Sequence, residues 1–549
     1  MHTIANFGVI IPAIKKNVVF HDDLVKKLVG ISLIERAIIN ARKLSNDESI
    51  VVVTDSEEIQ LIAKRCNVKC ILDRKSVVGD GSYFNSLKQA VEFFPLHTKY
   101  HCFLSPYAPL LSAGVIKSAY TSFVKSEAEV LRPIKLENHC IVNETDYPLV
   151  DLLSNRVSQL TNIEFDGFAI YKNAPVIEFL ENPAVGASVS IEPFVVEYDE
   201  LEIRSLQDWW VAEKLLKRKR IIFRVIGSNK IGMGHIFRAL SLAHEISDHE
   251  VLFVTDTENE IVVNRLAGYD YWLGVYQNDE VLDEIIALKP DLVINDVLST
   301  EKSEIKYLQD QNIKVVNFED VGSGAACADI TYNELYDTPL FEGNNIRWGH
   351  EYLFVRDEFD KAKKNKIPQS ITSILIAFGG TDQHDLTMKC LNTVYSLCLE
   401  CNVKIHVVIG PGYPNHQTLF DTVQNMDNVI LEHSTAVISN IMEQCQWAIT
   451  SNGRTVYELA HLNIPAIVIS QHVREETHNF ATLEHGFLRT GVYSGEKTLG
   501  TVLKLLKRVL EDHEFRNDLY FKINPFEFSQ NKKKVIKEIQ SLLTYDENI

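Results

Sequence analysis

Ile226-Gly227-Ser228-Asn229-Lys230-Ile231-Gly232-Met233-Gly234-His235-Ile236-Phe237-Arg238 is the stretch whose reading decides the fold. The residues before it, Arg220-Ile221-Ile222-Phe223-Arg224-Val225, have the β-branched and apolar character of a buried parallel strand, and Ile236, Leu240, Ala243 and Ile246 after it recur at helical spacing. The segment reads as strand, glycine-rich turn and helix. Gly232 and Gly234 let the backbone approach a bound group closely, and the free N–H groups of a helix start favour an anion such as a diphosphate. His235 stands at that mouth, where an α/β enzyme can place a base. A plain helix cap is the competing role.

A chain of 549 residues is too long for one core and suggests about three domains. A net charge of −19 argues against a nucleic-acid-binding surface, but a local glycine loop can still hold phosphate. No run is long and apolar enough to span a bilayer, and Ile4 to Ile14 lacks the basic flank and cleavage site of a signal peptide, so a cytoplasmic address is expected. The nine cysteines are then expected to be reduced. Cys398 and Cys401 form one Cys-x-x-Cys with no second pair nearby, which favours packing over zinc.

Residues 1–217 alternate strand and helix: strands at Phe7 to Ile14, Ser49 to Asp55 and His101 to Ser105, helices at Leu33 to Leu44, Glu57 to Cys66 and Tyr83 to Phe94. Such alternation implies a mostly parallel sheet with helices on its faces. Ile11-Pro12-Ala13, Gly30 to Ile34, Val51 to Ser56, Leu104 to Leu110 and Asp208 to Glu213 fall in the order seen in acylneuraminate-type cytidylyltransferases, which this part resembles. That resemblance implies a nucleotidyltransferase-like fold and activation of a nonulosonic acid as its CMP-sugar.

Two departures weaken the implied activity. The family follows Ile-Pro-Ala with an arginine and a glycine-rich loop for the CTP phosphates, whereas this chain has Ile14-Lys15-Lys16-Asn17-Val18 and no glycine before Gly30. The family's magnesium-holding Asp-Ile-Asp is matched by Glu202-Ile203-Arg204, and arginine has no lone pair to offer a metal. A retained fold with lost or altered catalysis is therefore the expectation. Mg²⁺ would be needed only if this domain is active, with Lys15 and Lys16 meeting the phosphates as point charges.

The join is expected within Lys214 to Arg220. From there the pattern restarts, giving two Rossmann-like domains at 218–365 and 366–549. In the first, strands are expected at Val251 to Thr255, Asp291 to Asp296 and Lys314 to Phe318; in the second, at Ser373 onward, Lys404 to Ile409, Asn428 to Glu432, Trp447 to Thr450 and Ala466 to Ser470. Two such halves in sequence describe a GT-B arrangement with its ligand in the cleft between them. Gly379-Gly380-Thr381-Asp382 and Ser451-Asn452-Gly453-Arg454-Thr455 are further glycine turns after strands, and Glu458 lies one turn into the following helix, where it can accept from ribose hydroxyls.

Gly232 to Leu240, Gly349 to Phe359, Phe378 to Asp382, Val408 to Gly412 and Ser451 to Ala460 resemble the UDP-sugar hydrolase of pseudaminic acid biosynthesis, itself a relative of the peptidoglycan N-acetylglucosaminyltransferase. The resemblance implies removal of UDP from a 2,4-diacetamido-2,4,6-trideoxy-altropyranose donor. It places the catalytic base on His235 and the nucleotide contacts on Gly379, Gly380, Ser451, Asn452, Gly453, Thr455 and Glu458; relatives often carry Ser-Gly-Gly where this chain has Ser451-Asn452-Gly453. Gly232, Gly234 and Thr381 belong to the same turns. Arg238 is a candidate phosphate partner with a structural ion pair as the alternative, and Asp296 and Asn333 are candidate sugar contacts. His472 and His478 read as solvated loop residues.

The implied chemistry is inverting hydrolysis without a metal or other cofactor: neutral His235 takes a proton from water as it attacks the anomeric carbon, and the helix after Gly453 stabilises the leaving diphosphate. Expected partners are the UDP-sugar and other enzymes of nonulosonic acid supply, with no nucleic acid and no membrane span. Three alternatives stand beside it: a GT-B glycosyltransferase using an acceptor hydroxyl, a bifunctional enzyme with an active cytidylyltransferase, and a non-enzymatic nucleotide-sugar-binding scaffold.

Overall fold

The computed structural model describes residues 3–15, 20, 22–78, 81–138, 160–181, 189–196, 200–227, 234–380, 382–410, 412–433 and 437–543. The chain divides into two compact units, Met1–Arg218 and Lys219–Ile549.

In the first unit, Ile50-Val51-Val52-Val53-Thr54 is buried along its whole length, as a central strand covered on both faces must be. It pairs in parallel with Phe7–Ala13 and Lys69–Leu72, and Phe7–Ala13 pairs in parallel with Tyr100–Leu104. The sheet is mixed, because Phe168–Lys172 inserts antiparallel between Tyr100–Leu104 and Val130–Asn138. Separate apolar cores fill its two faces. Ser32 and Glu35 form a reciprocal capping box that fixes the start of the Leu33–Arg42 helix.

The second unit contains two fully parallel sheets. The first runs, in spatial order, Trp272–Tyr276, Glu250–Asp256, Arg220–Val225, Leu292–Asp296, Lys314–Phe318, Ile330–Asn333, Ile346–Trp348. The second runs Val429–His433, Lys404–Ile409, Ser373–Ala377, Trp447–Ser451, Ala466–Ser470, Leu488–Val492. In both, the order reverses beside the first strand, the doubly wound pattern whose ligand crevice lies at the carboxyl ends of the strands flanking the reversal. These are the two Rossmann-like halves of a GT-B layout, so the molecule is α/β throughout.

The last helix, Ser529–Ser541, lies in the span expected for the final domain, yet Val535, Ile536 and Ile539 join the core of the first sheet with Phe223, Ile236 and Ile294. Its Lys532, only 4% exposed, is held by Asp357 at 2.8 Å and by Glu245 and Asp360 at 3.3 Å. A helix with one apolar stripe packs where a matching face is open, and linear order does not confine it to its neighbours. Among the described residues no helix is long and apolar enough to cross a membrane.

Candidate functional site

The two reversal points supply the site. In the first half, Arg220–Val225 is followed in the chain by the Gly234–Glu245 helix, and its neighbour Leu292–Asp296 ends on Asp296. Topology alone therefore brings His235 and Asp296 together. In the second half, Ser373–Ala377 leads into Gly379 and Gly380, and the adjacent Trp447–Ser451 leads into Asn452 and Gly453. Gly379 has φ of +81°, a left-handed conformation that favours glycine, and a Cβ on Gly410 would stand 2.5 Å from the Gly380 backbone. These positions keep the loop thin enough for a ligand to lie against its backbone.

A cleft of about 760 Å³ opens between the halves, a size suited to a nucleotide-sized ligand. Gly234, His235, Gly379, Gly380, Ser451, Gly453, Thr455 and Glu458, all proposed from sequence, line it together. Gly232 and Thr381 lie outside the described residues.

His235 is 6% exposed, and its Nδ1 is 2.5 Å from Asp296 Oδ1. Burial would raise the Asp296 pKa, but the Arg238 charge and the His235 contact outweigh it and hold the carboxyl below its usual value. An ionised carboxylate only accepts, so Nδ1 carries the proton, and in the neutral imidazole Nε2 is the bare ring nitrogen. That is the tautomer a general base requires.

Beneath His235 lies a buried ionic cluster. Arg238 has no exposed side-chain surface; its Nε donates to Asp296 Oδ2 at 2.7 Å, Nη1 donates to Glu319 at 2.7 Å and also to Glu334, and Nη2 donates to Asp296 Oδ1. Of the two roles expected for Arg238, the geometry is that of the ion pair: it borders the cleft, but its side chain has no exposed surface and four of its N–H groups go to three carboxylates. Glu319, despite its burial, is held far below the usual carboxylate range, chiefly by Arg238. From the second half, Arg454 reaches Glu334 at 2.6 Å and the Phe354 carbonyl at 3.0 Å, and Arg474 lies 3.8 Å from Glu319.

Several expected contacts are corrected. Asp296 does not reach out as a sugar ligand; its oxygens are spent on His235 and Arg238. Asn333 is fully buried, donates to the Asp320 carbonyl at 2.8 Å and is not among the residues lining the cleft. The Asn452 side chain donates to the carbonyls of Glu475 at 2.6 Å and His478 at 2.9 Å, so it ties down a loop. His478, expected in solvent, is 7% exposed and lines the cleft; His472 also lines it and is exposed. Glu458 keeps its place on the helix and is steadied by Arg356, whose Nε donates to Oε1 at 2.8 Å.

Glu319, Glu334, Arg356, Arg454 and Arg474 were not anticipated. For the two glutamates a signal existed: each directly follows a buried parallel strand, Lys314–Phe318 and Ile330–Asn333, at the carboxyl edge where such sheets bind ligands. Among the described residues no group of three or more His, Cys, Asp or Glu is arranged to hold a metal ion. Cys398 is buried with its thiol pushed up to about 12 by desolvation, and Cys401 is exposed.

In the first unit, Arg204 fills with a guanidinium the position the family resemblance gives to a metal-binding carboxylate. It donates to Glu202 at 2.7 and 3.0 Å and to Asp166 at 3.4 Å. Lys15 is engaged by Asp22 and Glu58, each at 2.8 Å, and Lys16 lies outside the described residues.

No protein-family model matches the chain. An uncharacterized protein of Methanocaldococcus jannaschii is 31% identical over 264 residues, which cover 45% of this chain and 54% of that protein, so the chain spans about half the length of this relative. The spore coat polysaccharide biosynthesis protein SpsG of Bacillus subtilis is 23% identical over 54% of this chain and 90% of its own. The UDP-2,4-diacetamido-2,4,6-trideoxy-β-L-altropyranose hydrolase of Campylobacter jejuni is 25% identical over 45% of this chain and 91% of its own. Among solved structures, MurG of Acinetobacter baumannii covers 59% of this chain and 99% of its own at 15% identity and TM-score 0.43. CMP:2-keto-3-deoxy-manno-octonic acid synthetase, solved with CTP, covers 38% of this chain and 98% of its own at 13% identity and TM-score 0.30.

Proposed function

We propose that the chain is an enzyme of nucleotide-sugar metabolism serving polysaccharide biosynthesis. Its second unit hydrolyses a UDP-linked 2,4-diacetamido-2,4,6-trideoxyhexose to UDP and free sugar. The observation that carries this reading is the placement of His235, backed by Asp296, on the same cleft as Gly379, Gly380, Ser451, Gly453, Thr455 and Glu458. The similarity to the Campylobacter jejuni hydrolase over nine-tenths of its length supports the choice of reaction, and the similarity to SpsG supports the setting.

In the proposed step, His235 Nε2 takes a proton from a water that attacks the anomeric carbon opposite the diphosphate. The imidazolium so formed is stabilised by Asp296, whose charge Arg238 keeps in place. Glu458 accepts from the ribose, and the N–H groups after Gly453, with Arg454 and Arg474 nearby, receive the negative charge of the leaving UDP. This step calls on no metal. We place the reaction in the cytoplasm, beside other enzymes of nonulosonic acid supply; the described cysteines are all free, which suits a reducing compartment. We assign no cytidylyl transfer to the first unit, on the strength of Arg204.

The test is incubation with UDP-2,4-diacetamido-2,4,6-trideoxy-β-L-altropyranose in H₂¹⁸O with no acceptor. Free sugar and unlabelled UDP are expected. Label in the UDP means attack at phosphorus, and absence of turnover until an acceptor is added means a transferase; either outcome contradicts the proposal.

A further inference from the structure

His478, a residue of the cleft, takes no part in the chemistry above. His478 lies on the loop after Ala466–Ser470, 7% exposed, with its Nδ1 2.8 Å from the backbone carbonyl of Asn452. A carbonyl oxygen can only accept, so Nδ1 holds the proton and donates. Burial lowers the basicity of the ring and favours its neutral form. Nε2 is then a bare lone pair, and it is buried without a protein hydrogen-bond partner.

Gln471, at the start of the same loop, repeats the pattern. Its Nε2 donates to the Phe378 carbonyl at 3.2 Å, which fixes the amide and leaves Oε1 buried and also unpartnered. Both residues line the cleft, so its wall offers two acceptors. A diphosphate, which only accepts, has nothing to gain from it. The position points the same way. His478 feels the charges of Glu319, Arg474 and Glu334, the two carboxylates among them being those that hold Arg238 next to His235, and it meets the Tyr336 ring edge-on with centroids 5.5 Å apart. It therefore lies where the Gly453 turn meets the carboxylates around Arg238, the junction at which the sugar joins the diphosphate if the proposed hydrolysis is right.

We propose that His478 is a specificity-determining residue: its Nε2 accepts a hydrogen bond from an N–H or O–H of the glycosyl group, with Gln471 Oε1 as a second acceptor in the same cleft. The inference rests on the nucleotide-sugar reading of the cleft. It implies that the enzyme selects glycosyl groups rich in hydrogen-bond donors, because a sugar lacking them would bury two unpaired acceptors.

The test is calorimetric titration of the full chain with UDP and with UDP-N-acetylglucosamine, using the wild type, His478→Phe and His478→Gln. His478→Phe keeps a ring and removes the acceptor, so affinity for UDP-N-acetylglucosamine should fall about tenfold while that for UDP stays within about twofold. His478→Gln retains an acceptor and should recover most of the loss. Equal weakening of both ligands by His478→Phe, or no change in either, overturns the proposal. Should that variant fail to fold, Gln471→Leu is read in the same two titrations with the same expected split. A wild type that binds neither ligand overturns the underlying reading as well, a failure visible before any variant is made.

Discussion

The His235 imidazole and the Asp296 carboxylate meet at 2.5 Å, Nδ1 to Oδ1, although 61 residues separate them in sequence. Each sits at the carboxyl edge of its own part of one parallel sheet, at the point where strand order reverses. The carboxylate sets the tautomer, and Arg238 keeps the carboxylate charged.

Asp296→Asn keeps the shape and removes the charge. The ring then loses the partner that holds its proton on Nδ1 and steadies the imidazolium, so kcat for UDP release should fall by about 10³- to 10⁴-fold, as loss of such a carboxylate does elsewhere. The Kd for UDP, measured by calorimetry, should be unchanged.

The same carboxylate gives a pH dependence. Its folded pKa lies below its ordinary value of 3.8, so the stability it contributes is present above that value and is lost as pH falls through the lower, folded pKa. The thermal midpoint of the wild type should drop in that acid range, and the drop should be smaller in Asp296→Asn.

Arg238→Met leaves Asp296, Glu319 and Glu334 buried together without their shared cation. Stability measured by urea unfolding should decrease by about 3–5 kcal/mol. Adding Asp296→Asn should return part of it, because Asp296, unlike Glu334, which keeps Arg454, is left facing only the His235 ring.

Glu458 has Oε1 occupied by Arg356, leaving Oε2 for a ribose hydroxyl. Glu458→Gln should weaken UDP about tenfold, the scale of a charge-assisted hydrogen bond. UDP should lose as much as the UDP-sugar, the opposite of the split expected at His478.

Chelation separates the two units. EDTA should leave UDP release unchanged, and CTP with Mg²⁺ and a nonulosonic acid should yield no pyrophosphate, since Arg204 brings a positive charge to the position of the metal. Pyrophosphate release would reinstate an active first unit.

Much of this was legible in the chain before folding. The central strands announced themselves because burial on both faces demands unbroken runs such as Ile50 to Thr54 and Ser373 to Ala377. The strand, glycine turn and helix units at Gly234, Gly380 and Gly453 marked where ligand-binding edges would lie, since short-range chemistry encodes them. Long-range pairing was not legible. Nothing local to Asp296 says that its oxygens will be taken by His235 and Arg238, and nothing local to His478 says that the loop tied by Asn452 will carry it inward. The antiparallel insertion of Phe168–Lys172 and the return of Ser529–Ser541 to the first sheet are tertiary choices of the same kind.

The most direct measurement compares turnover of UDP-2,4-diacetamido-2,4,6-trideoxy-β-L-altropyranose by the wild type and His235→Ala, with UDP binding followed in parallel. The account predicts a loss of at least about 10²-fold in kcat, the scale of general-base catalysis, with UDP affinity retained. Undiminished turnover in His235→Ala would contradict it.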